Sequence, residues 1–220
     1  METVVLIHGL FVRGPVMLPM ALRMRGAGFA TSIFSYPTRE LSPEDNARAL
    51  KRFVADVGTP VVHFVAHSLG GIVLRHFFAA YPPAKPGRVV TLGTPHRHSH
   101  AAHMLARFEF GRRVLDRSLE HGLLGDVPPW NSNRELGSIA GTLSLGLGRA
   151  LPGLPVPNDG TVAVNETRLD GMADHICLPV SHTALIFAPA VADQCLHFLR
   201  CGRFKHDNAP PAHCTKTAHQ

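Results

Sequence analysis

Residues 65–71 read Val65-Ala66-His67-Ser68-Leu69-Gly70-Gly71, and they decide how the rest of the chain is read. Upstream lies the apolar, β-branched run Val61-Val62-His63-Phe64-Val65. Downstream, Leu69, Ile72, Val73 and Phe77 recur at helical spacing until Pro82-Pro83 halts them. A nucleophilic serine at a strand-to-helix junction of this kind sits in a sharp, strained turn that lifts its hydroxyl clear of the sheet. Strand and helix come so close there that the residues two before and two after must be small. Ala66 and Gly70 meet that need, with alanine at a place where glycine is more usual. Ser68 is therefore the candidate nucleophile. A serine at an ordinary glycine-rich helix start would share the local letters, so the reading rests on the flanking strand and helix.

Outward from that turn, strand and helix signals alternate along the chain. Strands are expected at 3–7, 30–34, 60–65, 88–92, 136–140 and 173–178. Several are near-continuous apolar runs, which suits parallel strands covered on both faces. Ser42-Pro43-Glu44-Asp45 supplies an N-cap, a first-position proline and two early carboxylates; Ala47, Leu50, Val54 and Val57 follow at helical spacing, and Gly58 with Pro60 ends the run. Pro189 opens a last helix with Val191, Ala192, Cys195, Leu196 and Leu199 facing inward. This alternation defines an α/β doubly wound sheet. Residues 94–134 show helix signals but no strand and are read as one crossover helix plus a small cap insertion. Residues 143–157 read as an extended loop. The expected organisation is a single domain over 1–203 with a flexible polar tail over 204–220.

Composition agrees. With 220 residues, 45% hydrophobic and 17% charged, the chain is neither disordered nor fibrous and can bury a core without a staple. No apolar run reaches the ~18 residues of a membrane span, and no leader is visible before Thr3-Val4-Val5-Leu6-Ile7, so a soluble, cytoplasmic protein is expected. The four cysteines, at 177, 195, 201 and 214, match no zinc pattern and read as reduced thiols. The formal charge of +6 comes without a basic helix interleaved with aromatics, which argues against nucleic acid as a partner.

Three further stretches carry candidate chemistry. Ile7-His8-Gly9-Leu10-Phe11 follows the first strand; the glycine frees the next amide to face a developing oxyanion, so Leu10, or failing that Phe11, would supply one backbone donor and Leu69 the other. His8 is assigned a structural role in that turn. Pro157-Asn158-Asp159-Gly160-Thr161-Val162 and Leu178-Pro179-Val180-Ser181-His182-Thr183 complete the set. Alone, Asn-Asp-Gly is a turn, and one histidine among fifteen says little. Together, Ser68, Asp159 and His182 all fall beyond the C-terminal ends of their strands, the edge where open α/β sheets place their sites. Asp170, in Arg168-Leu169-Asp170-Gly171, and Asp174, at the start of the last strand, belong to the opposite edge.

On these motifs, with Leu92-Gly93-Thr94-Pro95-His96 added, the chain resembles the α/β-hydrolase superfamily, in particular its compact bacterial lipase/esterase-like members, which also resemble GPI-inositol-deacylase domains. The motifs span most of residues 3–200. The resemblance implies an α/β-hydrolase fold: a mostly parallel central sheet of about six strands, helices on both faces, a small cap, and no leading antiparallel strands. It also implies Ser68 as nucleophile, His182 as base and Asp159 as its orienting acid, with no cofactor and no metal. The expected activity is hydrolysis of carboxylic esters on short- to medium-chain acyl esters or lipids. An amidase or thioesterase would use the same triad, and a non-catalytic binding protein on this scaffold is the reading from another class. The histidines of His96-Arg97-His98-Ser99-His100, with His103, are read as a solvated loop. Arg107, Arg112, Arg113 and Arg117 are read as a solvated helix face open to weak contact with an anionic lipid surface.

Overall fold

The computed structural model describes residues 1–82, 84–145 and 153–206. Six strands form one sheet: β1 (Thr3–Ile7), β2 (Ala30–Phe34), β3 (Val62–His67), β4 (Val89–Leu92), β5 (Leu136–Gly141) and β6 (Asp174–Leu178), side by side in the order β2-β1-β3-β4-β5-β6. Every neighbouring pair is parallel. The inner strands β1, β3, β4 and β5 are buried at every position, whereas the edge strands β2 and β6 are half-exposed. This is the near-continuous apolar pattern of a sheet covered on both faces. The central strand runs 62–67 where 60–65 was expected. Pro60 has no N–H to give a ladder, and the register continues through Ala66 opposite Ile7 and His67 opposite Leu92, so the strand reaches the residue before Ser68.

Alternate side chains feed two cores. Val4, Leu6, Val65 and Val90 point to the face covered by α1 (Leu18–Gly26), α6 (Ala184–Phe187) and α7 (Pro189–Cys201), where they meet Met20, Met24, Leu185 and Phe198. Val5, Ile7, Phe64 and Ala66 point to the other face, against Leu50 of α2 (Pro43–Ala55) and Val73 and Phe77 of α3 (Leu69–Ala80). The period of two is the physical reason one strand can serve both layers. The Ser42 cap forms as expected, its Oγ accepting from the Asp45 N–H at 3.1 Å. By contrast, α1 had no sequence signal strong enough to mark it. Its buried stripe is only Met20, Ala21 and Met24, and Arg23 and Arg25 lie among them.

Residues 94–134, expected to hold one crossover helix plus a small cap, form two short helices, α4 (His100–Ala106) and α5 (Glu109–Leu115), and a 3-10 turn (Asp116–Leu119). They pack on the start of α3 through Leu69, Ile72, Ala102, Leu115 and Leu123. Arg75, buried in α3, fastens the segment by donating to the carbonyls of His96, Val127 and Pro128. Burial lowers its pKa to about 10, so it stays charged at neutral pH.

Two readings are corrected. Phe204 is buried against Phe198, and its N–H donates to Asp174 Oδ2 at 2.8 Å, so the chain is still part of the core where the tail was expected to begin. Cys177 and Cys195 are free thiols, but Cys201 is disulfide-bonded, so the four cysteines are not all reduced. The rest of the expected tail, with Cys214, lies outside the described residues, as do Pro83 and the middle of the 143–157 loop. Among the described residues no helix is long and apolar enough to cross a membrane.

Candidate active site

Ser68 stands between β3 and α3 at φ 52° and ψ −121°, a conformation an L-residue adopts only when its surroundings impose it. They do. Its N–H donates to the Leu92 carbonyl (2.8 Å), and its own carbonyl accepts from the Gly71 N–H (3.0 Å) and Thr94 Oγ1 (2.9 Å). The demand for small neighbours is visible in distances. A Cβ on Gly70 would lie 2.7 Å from the His8 carbonyl oxygen, and one on Gly71 only 2.2 Å from Thr94 Oγ1.

The turn after β1 meets this elbow directly. A Cβ on Gly9 would lie 3.0 Å from Ser68 Cβ and 2.8 Å from His67 Nδ1, so only glycine lets the two turns touch. His8 has the structural role expected of it. Its Nε2 accepts from the Tyr36 N–H (3.2 Å), which leaves Nδ1 to donate to the Gly9 carbonyl (2.9 Å). The Tyr36 hydroxyl donates to the His8 carbonyl at 2.8 Å, and the two rings stack 4.4 Å apart. Among the described residues, the N–H groups of Leu10 and Leu69 donate to no protein acceptor. Phe11 follows at φ 62° with its ring exposed.

Asp159 and His182 are brought together. Asp159 is fully buried; Oδ1 accepts from the Thr161 and Val162 N–H groups (2.9 and 2.7 Å), and Oδ2 bonds His182 Nδ1 at 2.7 Å. A backbone bond from the His182 N–H to the Asp159 carbonyl (2.9 Å) ties the two loops. Gly93, at φ 55°, passes beneath them: a Cβ there would lie 3.0 Å from His182 Nδ1 and 3.1 Å from Asp159 Oδ2. A carboxylate on Nδ1 fixes the proton there and leaves Nε2 of the neutral ring as the basic nitrogen. Among the described residues, neither Nε2 nor Ser68 Oγ makes a hydrogen bond. Asp170 is exposed, and Asp174 is occupied at the far end of β6 by the N–H of Phe204 and the ring of His206.

One residue went unassigned in the sequence reading. His67 is buried, its Nε2–H donates to the His182 carbonyl at 3.1 Å, and its ring lies 4.7 Å from that of His182. Burial, and then the neighbouring His182, hold its pKa well below the usual imidazole range, so it is neutral. Its place before Ser68 was legible; its partner, 115 positions away in sequence, was not.

The histidine-rich loop does not assemble. His96 is buried and its Nε2 pairs with Thr91 Oγ1 (3.0 Å), burial lowering its pKa to about 3, while His98 and His103 meet edge to face with centroids 5.6 Å apart. Among the described residues no group of three His, Cys, Asp or Glu is placed to hold a metal ion. In the arginine patch, Arg113 pairs with Glu109, Arg117 with Glu120 and Asp45, and Arg112 Nε donates to the Ala106 carbonyl.

A parallel sheet in this order, with a strained serine after the third strand, is the α/β-hydrolase fold. No protein-family model matches the chain. Solved structures do resemble it. The mature Bacillus licheniformis lipase BlEst2 is 21% identical, with a TM-score of 0.67 over 84% of this chain and 86% of that one. Its propeptide form is 24% identical over 84% of this chain, at a TM-score of 0.67, but the match spans only 47% of that longer chain. A metagenomic carboxyl esterase is 19% identical, with a TM-score of 0.65 over 84% of this chain and 65% of its own. At such identities the likeness concerns the fold.

Proposed function

We propose that the protein is a serine hydrolase that cleaves carboxylic esters through an acyl-enzyme. The observation that carries this reading is the buried Asp159–His182 pair, 2.7 Å apart over Gly93, whose flanking residues Leu92 and Thr94 bond the backbone of the strained Ser68. In this reading the Ser68 hydroxyl donates to His182 Nε2 in the substrate complex, as catalytic contacts often tighten only when substrate binds. Nε2 takes the hydroxyl proton as Oγ attacks the ester carbonyl. Asp159, itself held by two backbone N–H groups, keeps the ring in the right tautomer and stabilises the imidazolium. The Leu10 and Leu69 amides hold the oxyanion. The imidazolium then protonates the leaving alkoxide, and water, deprotonated by the same nitrogen, releases the acid and restores Ser68.

The insertion over 94–134 supplies only short helices, too small to seal a long acyl groove, which favours short- to medium-chain acyl esters. The test is labelling with a fluorophosphonate probe alongside turnover of p-nitrophenyl esters from acetate to palmitate. Labelling of the parent, none of Ser68→Ala, and a maximum below palmitate are expected. A folded Ser68→Ala protein that still turns over ester would end the proposal. Thioester and amide analogues of the best ester separate the esterase from a thioesterase or amidase with the same triad.

A further inference from the structure

Beside the oxyanion turn opens a cleft of about 490 Å³, a volume typical of small-ligand sites, between the loop of residues 11–13 after β1 and that of residues 35–40 after β2. Phe11, next to Leu10, lies at its rim, and Tyr36 lies in its wall. Because the Tyr36 N–H and hydroxyl both bond His8, this wall and the Gly9–Leu10 turn move as one piece. Arg13 and Arg39 reach the cleft from the two loops.

Arg48, Arg88, Arg113 and Arg117 are paired with carboxylates, and Arg75 and Arg134 are spent on backbone carbonyls. Among the described residues the side chains of Arg13 and Arg39 make no hydrogen bond and no ion pair. Arg52, Arg97, Arg168 and Arg203 are likewise without either among the described residues; what sets Arg13 and Arg39 apart is that both line one cleft. Glu40 is the single acid lining the cleft, and backbone N–H groups of its own loop engage its carboxylate before the two arginines act on it. The cleft thus sets two positive charges against one negative, and each of its two guanidiniums carries five N–H donors. A guanidinium fork matches a carboxylate or phosphate in geometry as well as charge.

We propose that this cleft is a substrate subsite for an anionic group, a carboxylate or a phosphate, carried by the ester whose carbonyl faces the Leu10 and Leu69 amides. The inference rests on the ester-hydrolase reading and narrows it to acidic esters. Anchoring the anion beside the oxyanion turn fixes the distance between it and the scissile carbonyl. Binding energy from a non-reacting part of the substrate would then be used to orient the reacting centre.

The experiment compares matched charged and neutral esters on the parent, Arg13→Gln, Arg39→Gln and the double variant. One pair, p-nitrophenyl hemiglutarate and p-nitrophenyl valerate, places the anion on the acyl side. The other, 4-carboxyphenyl butyrate and phenyl butyrate, places it on the alcohol side. In one pair, each arginine variant is expected to lower kcat/KM for the charged ester about 10-fold and leave the neutral ester within about 2-fold, the loss of one charge-assisted contact. Glu40→Gln should move the same ratio the other way by a few-fold. Equal losses on charged and neutral esters, or no change in either pair, would overturn the subsite while leaving the esterase intact. An NMR titration with glutarate reads the cleft without turnover. Saturable shifts at Phe11 and Thr38 that vanish in the double variant are expected even if no ester is cleaved. Their absence in the parent would overturn the subsite on its own.

Discussion

Among the described residues a histidine meets a carboxylate at each end of the sheet, and of these two rings only one keeps a nitrogen without a protein partner. At the C-terminal edge, His182 and Asp159 are 2.7 Å apart; at the N-terminal edge, His63 Nε2 and Glu2 Oε2 are 3.0 Å apart. The difference lies in the second ring nitrogen. His63 Nδ1 accepts from the Arg88 N–H at 3.0 Å, so both of its nitrogens are consumed in holding β3 to its neighbours. His182 Nε2 is left without a protein partner among the described residues, and its ring lies 4.7 Å from that of His67, the residue before the strained serine. The acids differ as well. Asp159 is wholly buried and pinned by backbone N–H groups, whereas Glu2 is 40% exposed and free to swing. A histidine beside an acid is thus a structural brace by default.

The sharpest way to break this contrast is to remove each acid in turn. Asp159→Asn should lower kcat by roughly 10²–10⁴ with little change in KM, because its work is done in the transition state. Glu2→Gln should leave kcat within about 2-fold, since nothing connects it to bond-making. Steady-state kinetics on a short-chain ester reads both, and a silent Asp159→Asn would show that another acid orients His182. The next largest effect belongs to His67. His67→Phe keeps a ring against His182 but deletes the N–H to its carbonyl, and about a 10-fold fall in kcat at constant KM is expected from a misplaced base. If melting temperature falls while kcat holds, His67 packs without positioning.

A third test uses Arg75, whose guanidinium fastens residues 94–134 to α3. Arg75→Met should cost about 2–4 kcal/mol in denaturant unfolding, because it strands carbonyls that a charged donor now satisfies. Limited proteolysis should then cut first within that segment. Unchanged stability would mean the insertion is held by Leu69, Ile72 and Leu115 alone.

The last test is an acid slope in stability. Burial lowers the pKa of His63, and lowers those of His96 to about 3 and His175 to about 4. In the unfolded chain all three titrate near the ordinary 6.5, so below that pH the unfolded state binds more protons and folding weakens. Their stabilisation is present in full above pH 6.5 and is lost as pH falls toward 3–4, each group contributing up to about 1.4 kcal/mol per pH unit in its own window. Melting temperatures measured from neutral to acid pH should show the decline, and His96→Asn should flatten it. An identical slope in that variant would remove His96 from the account.

Much of the scaffold was readable because local rules set it. The apolar runs ending in Ile7 and His67, the cap at Ser42 and the prolines at 60 and 189 are constraints of backbone chemistry that act within a few residues. The triad candidates could be named for the same reason: each follows a strand's C-terminal end, so topology alone delivers Ser68, Asp159 and His182 to one edge. Helix α1 escaped because packing from Met17, Phe29 and α7 stabilises it rather than its own narrow stripe. The break at Arg107–Phe108 escaped because no periodicity announces it; it folds α5 back so closely on α4 that a Cβ on Gly111 would sit 1.9 Å from the Leu105 carbonyl oxygen.

What the chain determined by itself is the sequence of elements and the residue types at their junctions. The tertiary structure decided what each ring meets, since that depends on groups tens of residues away: the Arg88 N–H donating to His63, the Tyr36 N–H donating to His8, and the Asp159 carboxylate on Nδ1 of His182. It likewise decided which arginines are engaged, and it brings Arg13 and Arg39, both without a hydrogen bond or ion pair among the described residues, to one cleft beside the Gly9–Leu10 turn. The reason is the reach of the interactions: propensity and capping act over a few positions, whereas hydrogen bonds and charge pairing are settled only when the whole sheet closes around them.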